Sequence, residues 1–249
     1  MNAKVATLNG YVVSDLHIFG CCSLYQHYLP VFYSQVASHE IIVLNGDTFD
    51  FKRSTLPSST ETTRHAIAWL ADLAHRASAA QIFYILGNHD SHELFVRSLR
   101  EALPALPNVS LIPDSLQLGS ALFLHGDLVD LPDNNEDLAF VRAPYTHVEP
   151  TWQSRLFARA VTYLRANRID YLRHSKRALA EKILCYLEKN QPQATKGISE
   201  VYFGHTHIPF DNFIYQGIRF RNTGSMIRGL PWRPLEFSHH PRSVSTYIA

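Results

Sequence analysis

The sequence predicts an α/β fold, and three observations carry that expectation. Five short apolar runs each end in polar residues, segments of helical periodicity lie between them, and a long helix-rich interval separates the fourth run from the fifth. Strand, helix, strand order of this kind builds an α/β sheet. The 249 residues suffice for one large domain with a sizeable insertion, so 1–249 reads as a single domain. An apolar fraction of 46% and a charged fraction of 18% exclude a disordered chain.

The runs come in a repeating form. Tyr11-Val12-Val13 leads into Ser14-Asp15-Leu16-His17, and Ile41–Leu44 leads into Asn45-Gly46-Asp47. Ile82–Leu86 leads into Gly87-Asn88-His89-Asp90, Ala121–Leu124 into His125-Gly126-Asp127, and Val201–Phe203 into Gly204-His205-Thr206-His207. Near-continuous β-branched and aromatic runs suit strands buried on both faces. Between them, Thr63–Ala77 carries Ile67, Leu70, Ala71 and Ala74 at helical spacing, and Ser91–Leu103 opens on a capping type of residue. Ligands of such sheets collect at the carboxyl ends of the strands, where all five polar clusters fall. Beyond His207, two short runs around Gln216-Gly217 predict a hairpin, and Ser243–Ile248 alternates like a further strand. A second, partly antiparallel sheet packed on the first follows.

The interval from Leu128 to Ser199 is far longer than one crossover helix needs. Asp130–Glu149 reads as irregular, with Pro132, Asn134, Asn135 and Pro144. Gln153–Lys189 reads as helical in two apolar series, with Asn167–Asp170 as an interruption. Thr151–Lys196 holds ten Lys or Arg against three Asp or Glu, a net of +7 that leaves −6 for the rest of a chain whose total is +1. That asymmetry fits either an anionic substrate or surface, or a solvated amphipathic helix pair. The total charge itself selects no partner.

Three cysteines cannot make a disulfide framework, and no apolar run approaches the ~20 residues of a spanning helix. With no signal-peptide pattern, the expectation is a cytoplasmic protein, compatible with a peripheral place at the inner membrane surface. Cys21 and Cys22 read as small buried residues or as a redox-sensitive pair.

The chemistry lies in the five clusters. Four histidines, two carboxylates and one amide (His17, His125, His205, His207, Asp15, Asp47 and Asn88) suit divalent Mn, Fe or Zn better than Ca or Mg. No thiolate joins them, which excludes a cysteine-type structural zinc site. Asp15-x-His17 and His205-x-His207 set ligand types on alternate positions just past a strand, so each pair can face a common centre. Asp47 could bridge two cations, whose repulsion a shared anionic oxygen offsets. Taken singly, Asp50 and Asn88 could as well be turn residues.

Asp15-x-His17, Gly46-Asp47-x-x-Asp50, Gly87-Asn88-His89-Asp90, His125 and Gly204-His205-x-His207, in this order, resemble the signature of the calcineurin-like metallophosphoesterases. The resemblance implies a four-layer α/β/β/α sandwich with the helical segment at about 128–199 as a basic, cap-like insertion. It implies one metal on Asp15, His17, Asp47 and His207, and a second on Asp47, Asn88, His125 and His205, with Mn the first expectation. It implies that metal-activated hydroxide hydrolyses a phosphoester or pyrophosphate bond, that His89 assists the leaving oxygen and that Asp50 orients His89. The His125-Gly126-Asp127 block, the basic insertion and the Arg165-Ala166-Asn167 and Ser175-Lys176 runs within it are also similar to the UDP-2,3-diacylglucosamine hydrolases, although those carry Arg at the place of His89. By that likeness Lys176 is a substrate phosphate contact; otherwise it is an exposed helix lysine. The implied partner is an anionic phosphate-containing small molecule or a lipid-linked substrate. A nuclease or cyclic-nucleotide phosphodiesterase using Tyr163, Tyr171 and Tyr186 for stacking is the alternative, and a non-catalytic scaffold the third reading.

Overall fold

A computed structural model describes residues 7–132, 137–164, 175–240 and 244–245. Strands β1 (Leu8–Val13), β2 (Ile41–Asn45), β3 (Gln81–Ile85) and β4 (Val109–Ile112) are parallel neighbours in one sheet. β10 (Leu235–His239) pairs antiparallel with β1 and closes its other side. The second sheet runs β11-β5-β6-β7-β9-β8, from β5 (Ser115–Leu118), β6 (Ala121–Leu124), β7 (Glu200–Phe203), β8 (Phe210–Tyr215), β9 (Ile218–Asn222) and β11 (Val244–Ser245). β6, β7 and β9 are parallel there, and the remaining pairs are antiparallel.

Strand alternation sorts the buried side chains into layers. Tyr11, Val13, Ile42, Leu44, Ile82 and Tyr84 pack outward with Phe32 and Val36 of α1 (Tyr25–Val36), Leu70 and Leu73 of α2 (Ser59–Arg76), and Phe95 and Leu99 of α3 (Glu93–Ala102). Val12, Val43 and Ile85 face the other way, into a core shared with Leu116, Phe123 and Tyr202 of the second sheet. Leu122, Val201 and Phe203 turn outward again, onto Leu179, Ile183, Leu184 and Leu187 of α6 (Lys176–Asn190). The result is the expected helix, sheet, sheet, helix order. The five polar clusters therefore come from two facing sheets, three from one and two from the other, and meet at a shared edge.

The expected hairpin is β8–β9, with Gln216 and Gly217 both at positive φ as a two-residue turn requires. Two expectations need correction. Asp130–Glu149 is not irregular: α4 (Leu138–Thr146) forms there, capped by the Asp137 carboxylate, which accepts the Ala139 amide. Ser91 does not cap α3, because its hydroxyl donates to the Asn88 carbonyl (2.9 Å) and His92 takes the cap position. α5 (Trp152–Tyr163) opens on a capping box of Thr151 and Ser154. The expected interruption at Asn167–Asp170, Asn134 and Asn135, the Arg165-Ala166-Asn167 run, Tyr171 and most of the Ser243–Ile248 strand lie outside the described residues. No helix among the described residues is long and apolar enough to cross a membrane.

Candidate metal centre

The first ligand pair hangs on a backbone crossover between β1 and β2. Past the strand ends the Asp15 amide donates to the Gly46 carbonyl (3.1 Å) and the His17 amide to the Asp47 carbonyl (3.0 Å), so the two clusters stay side by side. From the second sheet, the His205 amide donates to both Asp15 carboxylate oxygens (3.1 and 3.0 Å). The Ser225 hydroxyl and the Met226 amide hold the Asp15 carbonyl (3.2 and 3.0 Å). Glycines permit the approach. A Cβ on Gly87 would collide with the Asp47 carboxylate, and one on Gly204 with that of Asp15.

All seven expected ligands are brought together. His207 Nε2 lies 3.2 Å from Asp15 Oδ1 and 3.2 Å from His17 Nε2. His17 Nε2 is 3.9 Å from Asp47 Oδ2, while the other Asp47 oxygen stands 3.3 Å from His125 Nε2. Asn88 Oδ1 is 3.2 Å from His125 Nε2 and 3.0 Å from His205 Nδ1. His125 Nδ1 faces the Asn45 carbonyl at 3.2 Å, which fixes the ring with Nε2 toward the centre. Two groups, Asp15 with His17 and His207, and Asp47 with His125 and His205, each place their donor atoms within 4.8 Å of one another. A third such group joins His89 to His17 and Asp47, so His89 stands against the centre as well.

The electrostatics fit divalent cations. Asp15 and Asp47 are almost fully buried, and each is faced by imidazoles and by a backbone amide, of His205 and of His89 respectively. Burial opposes ionisation of Asp15, yet the hydrogen bond and charge of His207 hold its carboxyl below the usual range. Asp47 is held further down, as His125 and His89 outweigh its burial. Burial and the His89 charge push His17 down to about 3, leaving a neutral, lone-pair imidazole. Burial opposes charge on His125, but the Asp47 carboxylate raises it to about 10. His17 Nδ1 is buried with no hydrogen-bond partner, and imidazole nitrogens crowd to 3.2 Å. Cations replace such crowding with coordination.

His89 and Asp50 form the expected pair, Nδ1 to Oδ1 at 3.0 Å. Burial resists ionisation of Asp50, but the His89 charge prevails and lowers its pKa. Asp90, the last residue of the third cluster, accepts from the Thr48 and Gly87 amides and the Tyr84 hydroxyl (2.8, 2.7 and 2.7 Å), which pins the loop carrying Asn88. A groove of about 200 Å³ opens above the centre, walled by Arg53, His89, Asp130, Tyr145 and His207. A larger cavity of about 1260 Å³ between α3, α4 and α6 holds none of the seven ligands, so size alone would misplace the site. Lys176 is not on the groove wall; its ammonium sits 4.9 Å above the Phe210 ring.

Among the groove residues that the sequence left unassigned are Arg53, Asp130 and Tyr145. Arg53 follows Asp50 in the same loop. Asp130 Oδ2 lies 2.9 Å from His205 Nε2, five residues past His125. Tyr145 comes from α4 and packs on His89, ring centroids 4.7 Å apart. Only Arg53 had a signal, its closeness to Asp50; the other two depend on how the insertion folds back.

A model of the calcineurin-like phosphoesterase family matches residues 11–209, from β1 through the last ligand cluster. The chain belongs to this family. It is accordingly a metal-dependent hydrolase of phosphoester bonds, and the paired clusters suit two divalent ions. No curated protein matches the chain. Among solved structures, a dimetal phosphatase from Danio rerio is similar at 11% identity, covering 96% of this chain and 98% of that one, TM-score 0.48. YfcE, a phosphoesterase from E. coli, matches at 17% identity over 89% and 83%, TM-score 0.41. An uncharacterised predicted phosphoesterase from Streptococcus pneumoniae matches at 15% over 94% and 99%, TM-score 0.38.

Proposed function

We propose that this phosphoesterase holds two Mn ions and cleaves a phosphoester or pyrophosphate bond in an anionic substrate with an apolar tail. Asp15, His17, Asp47 and His207 would hold one ion, and Asp47, Asn88, His125 and His205 the other. The observation that carries this reading is the split of Asp47, whose two oxygens face different imidazoles, His17 and His125. Bound cations supply Lewis acidity and bring the pKa of water toward neutrality.

The chain's own residues would do the rest. His89, held at Nδ1 by Asp50, has Nε2 left to give a proton to the leaving oxygen. Arg53 brings positive charge to the groove for the phosphate, and Tyr145 buttresses the His89 ring. Val129 and Tyr145 narrow the groove beside the reacting centre.

The tail is supported by α5. Trp152, Leu156, Phe157, Tyr163 and Leu164 are all more than half exposed, an apolar surface inside the basic insertion. Apolar patches bordered by Lys and Arg suit acylated anions or an anionic lipid surface. A UDP-2,3-diacylglucosamine type of pyrophosphate has that chemistry. A tail-length series of acylated UDP-sugars tests it: hydrolysis should rise with chain length, and no turnover at any length removes the lipid substrate. Asp47→Asn and His205→Ala should each abolish metal-dependent turnover with the circular dichroism spectrum unchanged. Wild-type turnover surviving exhaustive chelation would contradict the metal mechanism itself.

A further inference from the structure

Two thiols lie where the insertion meets the loop that carries Asp50. Cys21 and Cys22 are half-buried, with Sγ atoms 3.7 Å apart, and Cys21 Sγ is 3.7 Å from the Arg155 carbonyl oxygen in α5. Their backbone is tied on both sides. The Cys21 amide donates to the Arg53 carbonyl (3.0 Å), and the Cys22 carbonyl accepts the Arg228 amide (2.9 Å). The Arg53 amide donates to Asp50 Oδ1 (2.9 Å), the same oxygen that faces His89 Nδ1. α5 rests on that loop too, through Ser154 Oγ to the Lys52 carbonyl (2.8 Å) and the Arg155 guanidinium to the Ser54 carbonyl (2.9 Å). Neither thiol lines the groove, and the reaction above uses neither.

We infer that Cys21 and Cys22 are a modification site, a vicinal dithiol that a hydroperoxide converts to a disulfide, and that this shuts the phosphoesterase through the Asp50–Arg53 loop. The hydrogen bond from Cys21, reinforced by Thr162, Arg53 and Arg159, holds the Cys22 thiol down to about 6 against its burial, so Cys22 is the attacking sulfur. Its thiolate takes the terminal peroxide oxygen and becomes a sulfenic acid, and the other oxygen leaves as alkoxide (hydroxide from hydrogen peroxide) and picks up a proton. Cys21 sulfur then displaces the sulfenic oxygen as water. Two thiols and one hydroperoxide give one disulfide, one water and one alcohol (a second water from hydrogen peroxide), with two electrons passing from sulfur to oxygen.

The geometry makes the bond consequential. A disulfide needs sulfurs at about 2.05 Å, and its Cα atoms usually stand at least ~4.4 Å apart, whereas neighbouring Cα atoms are held at about 3.8 Å. The ring can close only if the backbone at 21–22 shifts, and the Cys21–Arg53 and Arg53–Asp50 hydrogen bonds carry that shift to His89. A strained disulfide is also readily reduced, which makes the change reversible.

The test treats reduced, metal-loaded protein with stoichiometric hydrogen peroxide. The peptide holding Cys21 and Cys22 should lose two hydrogens by mass, hydrogen exchange at the Cys21 and Arg53 amides should rise, and turnover should fall about tenfold, the scale of a typical intersite coupling. Dithiothreitol should restore all three. C21S should keep basal turnover and resist peroxide. Equal loss of turnover in C21S and wild type, or oxidation confined to exposed Cys185, would overturn the inference. The activity readout rests on the phosphoesterase reading, whereas the mass and exchange readouts do not, so a failure of either can be told apart.

Discussion

Asp15, His17, Asp47, His205 and His207 sit at φ between 47° and 62°, a left-handed conformation that side chains with a Cβ seldom adopt. Such strain, ~1–3 kcal/mol for each residue, persists where surrounding packing enforces it and is concentrated at functional sites. The ligands were legible because each ends an apolar run, but the turns that aim them were not, since no residue type announces positive φ at Asp or His. Gly87→Ala and Gly204→Ala should each weaken metal binding by at least about tenfold, as loss of ligand support commonly does, while leaving the seven ligands in place; a metal-competition titration measures it. His89→Ala should lower kcat by about 10²–10⁴ with metal content unchanged, which separates proton donation from ligation. His125 sets a pH dependence. Its pKa rises on folding from an ordinary ~6.5 to about 10, so it stabilises the metal-free protein fully below ~6.5 and that stabilisation is lost as pH rises through about 10. A cation competes with the same proton. Metal affinity should therefore climb with pH toward about 10, and loading at neutral pH should release a proton, read by calorimetry in buffers of different ionisation enthalpy.

α4 shows where element reading fails. Pro132, Asn134, Asn135 and Pro144 mark a loop by local propensity, yet Leu138–Thr146 is helical. Its Arg142 donates to Asp127 (2.7 Å), Asp114 (3.0 Å) and the Pro113 carbonyl (2.9 Å), so long-range ion pairs override a sequence that lacks a strong helical preference. Three residues later Tyr145 meets His89. Arg142→Ala would leave Asp127 buried and unpaired, with an expected loss of about 3 kcal/mol in urea unfolding. Turnover should drop as well, because Tyr145 loses its support. β10 was missed for a different reason. Leu235, Phe237 and His239 alternate inward as a strand should, but the run follows Pro231 and Pro234 and carries no ligand to attract attention.

Across the whole molecule, the five parallel strands that carry the clusters were the legible part, because burial writes continuous apolar runs into β1, β2, β3, β6 and β7, whereas the short, partly exposed parallel strand β4 was not read. Their division between two facing sheets was not legible from the runs, since either division gives the same runs. The charge pattern, +7 in Thr151–Lys196 against −6 elsewhere, gave the insertion a sign but not a shape. Its contact with the site comes from α4 and α5 folding over the Asp50–Arg53 loop. Anomalous diffraction from crystals of Mn-reconstituted protein tests the central claim most directly. Two peaks about 3.5–4 Å apart, with Asp47 touching both, are expected. A single peak, or none among these seven side chains, would contradict the account.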